Sequence, residues 1–201
     1  VTRTSARLCD MAFWGTVRSI GEALGLWQRT SDAGCSLGQV AFRETKRSAE
    51  IVNLHRPRRG LLLPTQQMLQ ELFPDLDVSK IRVRDKCRLP ANRFKPTGSI
   101  YGMTFGYTIY WRDELDEESP SDLVKLIHEV VHVDQVRRHG GEDEFACAYG
   151  RGYLEGGGAV PSHIDDPGAY QRNPLEAEAY QFDSRFRDER GRVVASRLPG
   201  R

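Results

Sequence analysis

Residues 119–141, SPSDLVKLIHEVVHVDQVRRHGG, carry the best-defined local signal in the chain. Ser119 can accept one of the backbone N–H groups that a helix start leaves unpaired, and Pro120 suits a first helical position because its missing N–H would have no partner there. Asp122, three residues after the cap, completes the start signal and complements the positive end of the helix dipole. Arg137, Arg138 and His139 sit where the dipole is negative, and Gly140-Gly141 supplies a stop. The pattern predicts a helix from Pro120 to Arg138 or His139. Around it, Leu123, Leu126, Ile127, Val130 and Val133 fall on one side, whereas Lys125, His128, His132 and Gln135 fall on the other. An apolar face is thus expected to dock on a core and leave both histidines turned toward a cleft.

Working outward, Ser99–Arg112 is rich in aromatic and β-branched residues and punctuated by Gly102 and Gly106, as expected of a hairpin or bent ribbon. Ile81–Arg84 alternates as a short strand, and Pro64 opens a helix that Pro74 ends. Downstream, Glu142–Leu154 has helical composition, and Asn173-Pro174 marks a second capped start for a helix reaching Phe186. Upstream, residues 7–29 form an amphipathic stretch, Ser31–Gly38 reads as a Gly/Ser linker, and His55–Gly60 as a basic, solvated run. The expected organisation is an N-terminal helical segment over 1–55, a catalytic-type domain over 56–189 and a flexible tail over 190–201. The class is α+β: a small antiparallel or mixed sheet packed on the 120–139 helix and on a second, glutamate-bearing helix.

Within the central helix, His128-Glu129-Val130-Val131-His132 matches H-E-x-x-H. Histidines four apart stand one turn apart on one face, so both imidazoles can reach a single zinc ion. Glu129, rotated about 100° from His128, is placed to act as a general base rather than as a ligand. Catalytic zinc usually takes three protein ligands, so a third has to come from elsewhere. His139 would lie roughly 10 Å too far along the same helix. Glu176 and Glu178 on the second capped helix are the leading candidates, with His163 as an alternative. Glu176 shares its side with Tyr180 and Asp183, Glu178 with Gln181 and Arg185, and Leu175, Ala179, Phe182 and Phe186 form the docking stripe.

Together with Leu63-Pro64, residues 77–84 and Gly106–Trp111, the segments His128–Gln135 and Asn173–Tyr180 resemble, in this order, a zincin-type metallopeptidase domain. That domain is common in bacterial proteins, including those associated with extracellular contractile injection systems. The resemblance spans Leu63–Phe182. It implies a gluzincin-like fold with one Zn2+ on His128, His132 and Glu176, and with Glu129 as general base for peptide hydrolysis. Where many gluzincins carry an acid or amide four residues after the ligand glutamate, this chain has Tyr180, and Asp183 is the nearby substitute for holding a zinc-bound histidine. Residues 1–50 lie outside the resemblance.

Composition bounds the partners. Among 201 residues, Lys+Arg number 29 and Asp+Glu 28, a net charge of +1, so no global positive field points to nucleic acid or anionic lipid. Leu8–Trp27 is interrupted by Asp10, Arg18 and Glu22, which argues against a signal peptide or spanning helix. Four cysteines without a C-x-x-C pair read as free thiols in a reducing compartment. The expectation is a cytoplasmic protease, or an effector exported by a signal-peptide-independent route and acting on one peptide or protein target. A noncatalytic zinc-stabilised assembly module is the rival from another class.

Overall fold

The computed structural model describes residues 31–89, 100–155 and 171–200. The expected N-terminal amphipathic stretch, most of the loop before the ribbon, and His163 lie outside them. Among the described residues are five helices and one three-stranded mixed sheet, an α+β arrangement. The helices are α1 (Ser31–Val52), α2 (Leu63–Leu72), α3 (Pro120–His139), α4 (Glu142–Glu155) and α5 (Pro174–Ser184), and the strands β1 (Arg82–Arg84), β2 (Gly102–Phe105) and β3 (Thr108–Trp111). No helix among these residues is long and apolar enough to cross a membrane.

α3 starts and stops where its sequence predicts. The Ser119 side chain accepts from Asp122 N, Pro120 follows the cap, and Gly140 closes the helix in the left-handed region at φ 89°. The expected ribbon forms a hairpin over Gly102–Trp111: β2 runs antiparallel to β3 with Gly102 opposite Trp111 and Phe105 opposite Thr108. β1 lies parallel to β3 on its other side, giving the order β1-β3-β2. β2 is therefore an edge strand of this sheet.

Alternation along β3 divides the interior in two. Ile109 and Trp111 join Leu123, Leu126, Ile127, Val130 and Val133 of α3 in the main core, closed by α2 and by Ala179 and Phe186. Tyr110 points the other way and meets Phe105, Cys87 and Ala49, with Phe42 packed against them. Phe42 reaches the edge strand directly, its ring 5.1 Å from that of Phe105 and 5.9 Å from that of Phe145. Residues 31–52 thus form part of the folded body.

Three expectations are corrected here. Ser31–Gly38 is not a linker: α1 begins at Ser31 and runs 22 residues. The glycines that weaken it locally are what tertiary packing uses, because a Cβ on Gly38 would sit 2.2 Å from Ala146 O and 2.8 Å from Gly150 Cα. α1 and α4 cross at nearly bare backbone, and that burial outweighs the poor helix propensity of glycine. The cysteines are not all free, since Cys35 of α1 and Cys147 of α4 form a disulfide across 112 residues of sequence. A pairing created by helix docking leaves no spacing signature. Cys87 is the free thiol among the described cysteines, and its burial pushes its pKa up to about 11, so it stays protonated. Residues 190–200, expected to be loose, fold back: Arg187 bridges Val193, and Leu198, 2% exposed, joins the main core.

The basic run ends in a defined role as well. Arg59 donates to Asp85 Oδ2 at 2.6 Å and pairs with the buried Glu117, whose Oε2 accepts from Leu62 N at 2.8 Å at the start of α2. Because the Gly38 contacts are to backbone, which cannot rotate away, Gly38→Ala is expected to destabilise the fold by about 2 kcal/mol. Differential scanning calorimetry should read this as a fall of roughly 4–8 °C in Tm for a chain of this size.

Candidate metal centre

α3 supplies two imidazoles one turn apart, with ring centroids separated by 5.0 Å and planes at 83°. α5 brings the carboxylate. Its start is set by Asn173, whose side chain accepts from Leu175 N at 3.1 Å, and by Pro174; Ala179, fully buried, lets its backbone approach α3. Glu176, 2% exposed, consequently lands between the histidines. Its Oε2 lies 3.4 Å from His128 Nε2 and its Oε1 3.5 Å from His132 Nε2. One ligand atom from each of the three lies within 4.8 Å of the others, so this group could hold a metal ion.

Two observations favour that use over a simple ion-pair cluster. Both nitrogen–oxygen separations exceed a good N–H···O hydrogen bond, so the three groups converge on a common point without closing on one another. Glu176 Oε2 is also buried with no hydrogen-bond partner, although its sister Oε1 accepts from Tyr149 Oη at 2.7 Å. Buried carboxylate oxygens are rarely left so, and a coordinated cation would satisfy this one.

The electrostatics agree. Burial opposes protonation of His128, but the carboxylates of Asp183 and Glu176 override it and raise its pKa to about 10. His132 moves the same way, burial again being outweighed by Glu176. Burial would raise Glu176, yet the two imidazoles hold its carboxyl well below the usual carboxylate range. Tyr180, whose ring centroid is 4.7 Å from that of His128, is pushed up to about 12 by burial and by the charges of Glu176, Asp183 and Glu129. It is a neutral phenol at physiological pH.

Glu129 stands beside this group and outside it. Its Oε2 accepts from Thr104 Oγ1 at 2.7 Å, and its carboxyl packs against Gly102, where a Cβ would come within 2.8 Å of Glu129 Cδ. Edge strand β2 therefore passes directly over the carboxylate between the histidine positions.

The sequence candidates separate cleanly. His128, His132 and Glu176 come together, whereas Glu178 faces elsewhere, accepting from Arg138 Nη2 at 2.5 Å and Gln135 Nε2 at 2.9 Å. His139 packs near Phe145, and His163 lies outside the described residues. Asp183 is near His128 Nδ1, with its Oδ2 at 3.5 Å. Thr104 escaped sequence reading, since nothing in a strand 25 residues upstream marks a contact to the helix. Tyr149, which the sequence offered as a candidate for oxyanion support, instead donates to Glu176, a bond that depends on how α4 and α5 meet. The chain matches no family model, no curated protein and no solved structure.

The raised histidines give a signed expectation. Their charged pairs with Glu176 stabilise the metal-free protein fully below the unfolded histidine pKa of about 6.5, and for His128 this is lost as pH rises through about 10. Glu176, shifted downward, contributes above about pH 4.5 and loses that contribution in acid. A divalent ion has to displace the histidine protons, so its binding should release protons and strengthen as pH rises. Thermal unfolding with EDTA and with added Zn2+, from pH 6 to 9, should show the metal-dependent gain in Tm growing with pH. A gain that shrinks would contradict the assignment.

Proposed function

We propose that the chain is a zinc-dependent metallopeptidase, with His128, His132 and Glu176 as ligands and Glu129 as general base. One observation carries the reading: a buried His/His/Glu donor set with an orphaned carboxylate oxygen lies next to a glutamate that belongs to the same helix but not to the donor set. Two imidazoles and one carboxylate are a familiar donor set for catalytic zinc, which keeps a fourth position open.

Zinc bound there would supply Lewis acidity and bring the pKa of a coordinated water toward neutrality. The chain's own residues account for the rest. Glu129 takes the proton of the attacking water and returns it to the amine as the carbon–nitrogen bond breaks. Thr104, donating to Oε2, fixes the carboxylate so that its other oxygen is available, and Gly102 leaves it room. β2, paired only with β3 among the described strands, offers free backbone groups to an extended peptide as an added strand beside Glu129. The substrate class that suits such an edge is an unfolded segment of a protein. The Cys35–Cys147 disulfide supports the exported form of this reading, since disulfides persist in oxidising surroundings.

Glu129→Gln keeps the shape and the Thr104 contact but removes the base, so peptide-library cleavage should fall about 10²–10⁴-fold with zinc content unchanged. If the zinc-loaded protein cleaves nothing in a Glu129-dependent manner, the noncatalytic zinc module takes its place. Gly102→Ala should lower turnover by displacing the Glu129 carboxyl, while leaving zinc stoichiometry at one per chain.

A further inference from the structure

We infer that Gln135 is a positioning residue: one buried amide decides which nitrogen of His132 faces the metal and holds the glutamate-bearing helix in register. The inference rests on the metal-centre reading above. Gln135 is 0% exposed, so every polar atom it carries has to find a partner inside the protein. Its Oε1 lies 2.8 Å from His132 Nδ1. Its Nε2 lies 2.9 Å from Leu175 O and 2.9 Å from Glu178 Oε2.

These partners leave the amide one orientation. Leu175 O and the Glu178 carboxylate only accept hydrogen bonds, so the amide nitrogen has to face them; a flipped amide would set its oxygen against two acceptors. Oε1 then faces His132, and because it too only accepts, His132 Nδ1 has to carry a proton. The nitrogen that remains is Nε2, which points toward Glu176. In the neutral imidazole its lone pair is directed into the ligand cluster, the tautomer a metal requires.

The same amide acts on the third ligand. Its two bonds to α5 fall at residues 175 and 178, on either side of Glu176 along the helix. Arg138 Nη2, 2.5 Å from Glu178 Oε1, holds the far side of that carboxylate. Rotation of His132 and the seat of Glu176 are thereby set together, from α3, by one side chain three residues beyond His132. His128 has a different support, the longer approach of its Nδ1 to Asp183 Oδ2 at 3.5 Å.

The test measures metal binding and imidazole chemistry, not turnover. Zn2+ affinity is read by competition with a chromophoric chelator, and His132 by 15N imidazole NMR with and without Zn2+, in wild type, Gln135→Leu and Gln135→Glu. In wild type His132 Nδ1 should carry a solvent-protected proton in both states, with Nε2 as the metallated nitrogen when zinc is present. Gln135→Leu should lose the protected proton and bind Zn2+ about 10–100-fold more weakly. Gln135→Glu, which keeps an acceptor for His132 but sets a carboxylate against Glu178, should retain the proton and still lose affinity. Metallation through Nδ1 in wild type overturns the proposal, as does Gln135→Leu with affinity within twofold of wild type and the proton still protected. Should Gln135→Leu not fold, the wild-type spectra and Gln135→Glu decide. A wild type that binds no Zn2+ yet shows the protected Nδ1 proton would sink the metal reading and leave the orientation of Gln135 standing.

Discussion

A carboxylate almost excluded from water has to be answered by positive charge, and Glu176 sets that constraint for the whole C-terminal half of the fold. α5 can be buried against α3 only where the two imidazoles and the Tyr149 hydroxyl meet it. Taking one partner from a buried ion pair typically costs about 3–5 kcal/mol, because the remaining charge is left without compensation. Two kinds of positive charge could satisfy the cluster. Protons on the histidines do so in the metal-free protein, and a divalent cation held there would do so while also engaging the oxygen that protonated imidazoles leave unbonded. Stability and metal readiness are therefore two expressions of one electrostatic requirement.

Much of this was legible from sequence, and the physical reason is that the signals were local. Ser119, Pro120 and Gly140 bound α3, Asn173 and Pro174 begin α5, and the 99–112 ribbon turns within a few residues; each depends on backbone groups satisfied by near neighbours. The H-E-x-x-H spacing is local too, so His128, Glu129 and His132 could be given positions on one helix. For the residue that joins the two histidines the sequence left Glu176, Glu178 and His163 open: Glu176 and Glu178 are two residues apart on α5, and it is the burial of Ala179 in the core and the bond of Gln135 to Leu175 O that go with Glu176 turning inward. What stayed hidden was non-local. Gly34 and Gly38 looked like helix breakers until their partner across the crossing, Gly150, was in view, and the Cys35–Cys147 pair has no pattern apart from that crossing. Leu198 reads as part of a loose tail because a single buried leucine has no periodicity.

α1 occupies the face of the sheet opposite α3, so the sheet is covered on both sides although only three strands wide. Lys46 and Arg43 pair with Glu142 and Asp143 at the start of α4, placing cations against the acidic first turn of that helix. The Arg43 pair is exposed and contributes little. The Phe42 contacts and the glycine crossing are the substantive part of the interface, and they put an N-terminal helix within one layer of the strand that runs over Glu129.

The disulfide also draws a boundary through the His128, His132 and Glu176 group. The covalent ring it closes, from Cys35 round to Cys147, contains the sheet, α3 and therefore both histidines, whereas Glu176 lies on the open strand of chain beyond it. A chain emerging from its N-terminal end has both imidazoles and the whole ring in hand before the glutamate exists to join them. The three side chains are thus brought together only when α5, which follows the ring in sequence, docks on α3 through the bond of Gln135 to Leu175 O.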